Sequence, residues 1–445
     1  MKKILTLFLV FIGCVSTANA TDYYIGANTA FSEGTTYWEI KGQMLDNDGD
    51  GTYSLIIQVP THQVYGNTTY YYDFYFNIFT GPSIDWSNAY RPTGNNLIKG
   101  NEGSDEITMD EDPNANNNSI QYPIDWDDYS EGLVRNYASA LKIDYTPSTH
   151  KLKVTRLIAV ATANNSYSTT TDYLTETANG SKIYKGRVAL DNFKIVCNQY
   201  GYQYWGRKKY TNDDGYMTND TGDDVSVTPG VYDVTADLST FLWQDPVRVT
   251  ATASVGSYGM ATLSSEYALD FTGIENVKAY TITEANKSTG ELTKTPVTGK
   301  VAAGTGLYIE GDADASAEIP TTIYTTATEG NMLVAGTGAK IDQTTGDYTN
   351  FILTVNKADE TTAETPKFFK VNENGNTVPA GKAYLQILTA NAAREFFWFD
   401  DDVTAINAVT NNQKTDGQAY NLAGQRIAQP TKGLYIVNGR KVVIR

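Results

Sequence analysis

In short stretches of this chain apolar and polar side chains alternate with a period of two, the spacing that sends successive residues to opposite faces of a strand. Leu141, Ile143 and Tyr145, separated by Lys142 and Asp144, predict a strand with one inward face. A turn at Thr146-Pro147-Ser148-Thr149 then returns the chain into a second strand over 152–155. The stretch 231–237 predicts another strand, turning at Leu238-Ser239-Thr240 toward Val247. No apolar period of 3.6 residues is sustained, so long helices are not expected. The 37 Gly and 32 Tyr, with abundant Thr and Asn, agree with a mostly β protein joined by polar turns.

At 445 residues the chain is too long for one ordinary domain. Two related modules are read over 21–157 and 158–250. In the first, the strand that begins Asp73-Phe74-Tyr75-Phe76 precedes Trp86 and Arg91; in the second, Asp191-Asn192-Phe193-Lys194 precedes Trp205 and Arg207. The aspartates are 118 residues apart and the tryptophans 119, which marks an internal repeat. The run 70–76 holds six aromatic residues and is read as core together with its neighbouring face. A third region, 251–406, carries two similar phrases 77 residues apart, Ala303-Gly304 before Leu307-Tyr308-Ile309 and Ala380-Gly381 before Ala383-Tyr384-Leu385. Residues 407–419, rich in Asn, Gln and Thr, read as a linker to a short terminal element, 420–445. There Asn438-Gly439 between two apolar runs predicts a tight hairpin.

The two ends point to export. Lys2 and Lys3 precede an apolar run over 4–12, too short to span a bilayer, and Ala18-Asn19-Ala20 follows in the small-x-small pattern of a signal-peptidase site. Residues 1–20 are therefore expected to be a signal peptide, with the mature chain starting at Thr21; the alternative of lipidation at Cys14 has a poor lipobox in Phe11-Ile12-Gly13. The formal charge of −17 becomes about −19 once Lys2 and Lys3 are gone, which repels phosphate backbones and excludes nucleic acid as a natural partner. Only Cys14 and Cys197 occur, so the mature chain has no internal disulfide, and Cys197 in the run FKIVC reads as an inert buried thiol.

Sugar recognition needs flat apolar faces for pyranose rings beside groups that bond their hydroxyls. Trp86, Tyr90 and Arg91 in the first module, and Lys194, Tyr204, Trp205, Arg207 and Lys208 in the second, supply both types, mostly after a strand where loops carry function. Buried packing is the competing role for each aromatic. Asp46, Asp48 and Asp50, in the run Asp46-Asn47-Asp48-Gly49-Asp50-Gly51, read either as a polar hairpin turn or as oxygen ligands for calcium. At the twelfth position of the loop, counting Asp46 as the first, stands Ile57 in place of a bidentate Glu, so this is not an EF-hand. No catalytic residues are assigned: His62 and His150 are the only histidines, no nucleophile turn is present, and 51 acids make a close carboxylate pair uninformative.

The tail motif Lys432-Gly433-Leu434-Tyr435-Ile436 followed by Lys441-Val442-Val443-Ile444-Arg445 resembles the C-terminal sorting domain of the type IX secretion system of Bacteroidetes. That resemblance implies passage through the periplasm to the cell surface or medium with the secretion machinery as partner, beside the signal peptidase expected from Ala18-Asn19-Ala20. The second module, with Phe193-Lys194-Ile195, Tyr204-Trp205-Gly206, Gly222-Asp223-Asp224-Val225 and the closing strand from Gly230 to Leu238, resembles the glycan-binding modules of the SusE and SusF outer-surface family. The first module matches only in Tyr23-Tyr24-Ile25-Gly26, the Asp50-Gly51-Thr52-Tyr53 turn and its last hairpin, and has Tyr75 or Asn77 at the family's Lys position. The third region resembles an accessory domain found beside sorting tails, to which no activity attaches. The expected fold is mostly β, tandem β-sandwich domains followed by a short C-terminal β-hairpin sorting element. The expected function is non-catalytic glycan binding at the surface, against two rivals: a structural or adhesive protein without a sugar site, and a glycoside hydrolase with a divergent carboxylate pair.

Overall fold

A computed structural model describes residues 21–32, 35–59, 63–65, 68–70, 74–93, 96–97, 106–110, 112, 116–122, 138–178, 180–199, 202–206, 224–240, 244–355, 365–399, 419–421, 426–427, 432–437 and 440–444. These residues form strands, turns and two single-turn 3-10 helices. The signal peptide read over 1–20 and, of the linker read over 407–419, all but the last residue lie outside them. The chain divides into two compact units, residues 1–397 and 398–445.

The first core is a sandwich. One sheet contains Tyr24–Ser32, Thr35–Gln43, Phe74–Phe79 and Ile120–Tyr122; the other contributes Tyr53–Gln58, Ala140–Thr146 and Lys151–Thr162. Ile25, Phe74, Phe76, Ile78 and Ile120 on one side meet Ile57, Leu141, Ile143, Tyr145 and Leu152 on the other. The predicted alternation holds, because Leu141, Ile143 and Tyr145 are buried while Lys142 and Asp144 face solvent and pair at 3.0 Å. The predicted turn holds as well, with Thr146 opposite Lys151.

Lys151–Thr162 is longer than one module requires. Its first half pairs with Ala140–Thr146, and its second half pairs with Tyr173–Glu176 and with Ile183–Gln199. The boundary read between 157 and 158 lies inside this strand. Side chains two apart share a face, so Leu152 and Val154 enter the first core, and Ile158 and Val160 enter the second. Arg156 stands between them on that face. It is buried and bonded to buried Glu176 at 3.1 Å, and Glu176 also accepts the Lys182 amide at 2.9 Å.

The second core gathers Leu174, Tyr184, Leu190, Phe193, Ile195, Val225 and Val234 under the same sheet. Ile183–Gln199 and Val225–Asp237 run antiparallel along it, with a register shift between Leu190 and Asn192. The turn after Asp237 forms as read, since that carboxylate accepts the Ser239 and Thr240 amides, and Val247 pairs with Asp233. Buried Thr321 joins this module to the third region, accepting the Val231 amide at 3.0 Å while its carbonyl accepts Arg248 Nε at 3.0 Å.

In the third region the two repeated phrases become corresponding strands of different sheets. Leu307–Gly311 lies between Met260–Leu263 and Val277–Ala285, and Ala383–Leu388 lies between Leu333–Ala335 and Tyr348–Thr354. Gly304 and Gly381, at matching places before them, have φ of 74° and 84°. That left-handed conformation is open to Gly without steric cost, which is why the phrase is spelled with it. In the terminal unit Gly433–Val437 pairs with Arg440–Ile444, and Val437 opposite Arg440 leaves a two-residue connection.

Candidate functional site

In the second module Lys151–Thr162 ends in a loop organised by Asn165. The Asn165 carbonyl accepts the Thr162 amide at 2.9 Å and the Ser168 amide at 3.1 Å, and its amide donates to Val160 O at 3.2 Å and Asp172 Oδ2 at 2.7 Å. With its centre held, the loop turns through left-handed backbone at Ser166 and Tyr167, both at φ 57°. Non-glycine residues adopt this at a cost of order 1–3 kcal/mol each, so such positions persist where surrounding bonds enforce them.

The turn presents the Tyr167 ring, which is 41% exposed, and aims its hydroxyl at Asp224, to which it donates a short hydrogen bond. Asp224 pairs in turn with Lys194 at 3.2 Å. The bond to Asp224 raises the Tyr167 phenol to about 12, helped by burial and by the charges of Asp224 and Asp191. Asp191, at the register shift, has Oδ1 buried without a hydrogen-bond partner. A partly free aromatic face, a cation and carboxylates thus converge on one loop. This grouping can stack on a flat polyhydroxylated ring and bond its edge.

Of the sequence-derived residues of this module, the structure brings Lys194 into that grouping. Tyr204 lies opposite Cys197 and Trp205 opposite Val196, two positions beyond Lys194, in the strand Tyr202–Gly206. Their side chains, and Arg207 and Lys208 entirely, lie outside the described residues. Tyr167 and Asp191 were not among the expected site residues.

The first module arranges its candidates differently. Trp86 opens a 3-10 turn capped by Asp85, whose carboxylate accepts the Ser87 hydroxyl at 2.6 Å and amide at 3.0 Å; those bonds hold its pKa below the ordinary value. The Trp86 ring is 38% exposed and meets Trp38 edge-on at 4.9 Å and Phe79 at 5.4 Å. Arg91 lies 4.9 Å over the same ring. It is buried, bonds Asn117 at 3.3 Å and leaves Nε without a partner, and its burial lowers its pKa. Tyr90 is half-buried and its ring stands 6.4 Å from Tyr23 and 6.3 Å from Tyr145, within the aromatic part of the first core. Arg91 therefore covers one face of Trp86, and the rest of the ring is what a ligand could meet.

Asp46, Asp48 and Asp50 bring carboxylate oxygens within 4.8 Å of one another. Each also closes the loop itself: Asp46 accepts the Gly49 and Gly51 amides at 2.8 and 3.1 Å, Asp48 the Asp50 amide at 3.4 Å, and Asp50 the Thr52 amide at 2.7 Å. Gly49 and Gly51 supply the positive φ that the turn needs. The oxygens that remain are the hard donors that calcium favours.

No protein-family model matches this chain, and no curated protein matches it. Among solved structures, the crystal structure of SusF from Bacteroides thetaiotaomicron is similar at 12% identity and a TM-score of 0.21, over 67% of this chain and 72% of that one.

Proposed function

We propose that this chain is an exported, non-catalytic protein that holds glycan at a cell surface through its first two modules. The observation that supports this most is Tyr167, an exposed ring set on strained backbone, with its hydroxyl fixed by Asp224 and Lys194 alongside. Strain of this kind has no packing advantage for a residue left in solvent, and presentation of the ring to a ligand gives it a use. In the first module the remaining face of Trp86, stiffened by Arg91, offers a second platform. The test is a glycan array probed with the full mature chain and with Tyr167→Ala. Binding by the first and loss in the second supports the reading, and absence of binding by the wild type overturns it.

The export reading rests on the Ala18-Asn19-Ala20 site and the terminal motif. The unit 398–445 has its own four-stranded sheet, so its removal leaves the cores of 1–397 intact. Deleting 420–445 is expected to leave a folded protein in the periplasm, detected by fractionation and protease shaving. Surface display of the truncated chain would remove the sorting role.

Calcium at Asp46, Asp48 and Asp50 belongs to the same proposal in a limited form, because the loop already satisfies part of each carboxylate internally. A site of millimolar affinity would add about 1 kcal/mol in low-millimolar calcium. The expected result is a small rise in melting temperature over chelator that disappears in Asp48→Asn. Equal melting in both buffers would leave a metal-free turn.

A further inference from the structure

The third region carries a groove that neither the sequence motifs nor the proposed function uses. It measures about 860 Å³ and lies where the hairpin of Val277–Ala285 and Leu292–Val297 approaches the ends of Tyr348–Thr354 and Ala383–Leu388. That volume falls within the range of about 300–1,000 Å³ typical of small-molecule sites. Tyr348 and Leu388 form a cross-strand pair in its lining, 43% and 47% exposed. An aromatic and an aliphatic side chain thus stand side by side on one strand face, each partly exposed.

The rim shows what chemistry would cover that surface. Among the described residues, the side chains of Glu284 and Asn391 and the Tyr348 hydroxyl have no hydrogen-bond partner. Asn286 uses its carbonyl on the Ser288 and Thr289 amides and keeps its NH₂ group, while Gln386 donates to Asn350 and keeps its carbonyl. The lining thus offers both donors and acceptors that the fold leaves unused. Among the described residues no Lys, Arg or His lines the groove, and Glu284 and Glu291 do, so a phosphate or carboxylate ligand would meet like charge there without a counter-ion. An apolar slot would take an acyl chain, but a slot rimmed by free amides and acids would leave those groups unbonded against one.

We propose that this groove is a carbohydrate subsite of the third region, stacking a neutral sugar ring on Tyr348 and Leu388 and bonding its hydroxyls through Glu284, Asn286, Gln386 and Asn391. It extends the reading of the chain as a glycan binder, and it stands or falls separately from the site at Tyr167. Titration calorimetry of the full mature chain with neutral hexasaccharides (malto-, cello-, xylo- and manno-series), and with oligogalacturonate as the anionic control, tests both. For the neutral oligosaccharide that binds, Tyr348→Ala is expected to remove one binding event or weaken it at least tenfold, and Glu284→Gln to weaken the same event severalfold. Tyr167→Ala is expected to leave that event in place. All of these positions are exposed or rim positions, so unchanged melting temperatures are expected and are to be measured alongside. Full retention of stoichiometry and affinity by Tyr348→Ala, with loss only in Tyr167→Ala, would overturn the third-region subsite and leave the module site standing. The converse pattern would keep the subsite and remove the module site. Equal binding of oligogalacturonate at the Tyr348-dependent site would contradict the charge argument on which the ligand class rests, and no binding of any neutral oligosaccharide would overturn both sites.

Discussion

Arg156→Ala is expected to cost about 3–5 kcal/mol of stability, as does breaking other buried ion pairs from one side. Both partners are almost without solvent contact, at 3% and 4% side-chain exposure, so removing the guanidinium leaves Glu176 charged and buried. The loss should be largely recovered in the double variant Arg156→Met, Glu176→Leu. There the desolvation of both ions disappears together, and apolar pairs of similar volume replace buried ion pairs at little net cost. Equilibrium urea denaturation of the three variants decides the matter. A single variant within about 1 kcal/mol of wild type would mean that water reaches the pair, contrary to its burial. The pair stands on the strand between Leu152 and Val154 of the first core and Ile158 and Val160 of the second.

Tyr167→Ala is expected to lower glycan affinity by about 2 kcal/mol, roughly thirtyfold, the loss typical of an anchoring aromatic residue. Its effect on folding should stay within about 0.5 kcal/mol, because the ring is exposed. Backbone strain adds a sharper expectation. At φ 57° a glycine meets no penalty, so Tyr167→Gly should be more stable than Tyr167→Ala by up to about 1 kcal/mol, the reverse of the usual order in regular structure. Chemical denaturation of both variants, with affinity for whichever glycan the array identifies, gives the two readouts. If Gly is the less stable of the two, the left-handed turn is not what the loop adopts in solution. If affinity is unchanged in both, the site lies elsewhere.

The strands were legible wherever the alternation of one short segment decided them. Leu141, Ile143 and Tyr145 needed only their own spacing, and the hairpins of 140–155 and 433–444 needed only local turn residues. Lys194 stands between Phe193 and Ile195 in the sequence, and the structure buries those two in the second core, which leaves Lys194 on the other side of the strand. The stretch 157–173, poorly marked by pattern, concealed the rest. Tyr167 reaches the site through a side-chain-built loop and bonds Asp224, 57 positions away, and neither fact has a periodic signature. The Asn165 signal, an Asn able to bond backbone on both sides, was present but common. Trp86 and Arg91 stand five positions apart in the sequence, and the fold lays the Arg91 guanidinium 4.9 Å over the Trp86 ring, a contact that no periodicity announces. Continuation of one strand through position 157 was hidden because Arg156 interrupts the apolar run at the place where a boundary was read.

That shared strand also removes the hinge that tandem binding domains commonly have. Twelve consecutive residues, Lys151–Thr162, complete the hydrogen-bond ladders of both cores, so rotating one module against the other would break the sheet rather than bend a linker. A polymer held at Trp86 and Tyr167 together would have to match a distance set by the protein. For a stiff chain of the right repeat the second contact would come with little further loss of freedom, and for any other repeat the second contact could not form at all. The sheet would then act as a ruler, selecting among polysaccharides by pitch even where their individual sugars are alike.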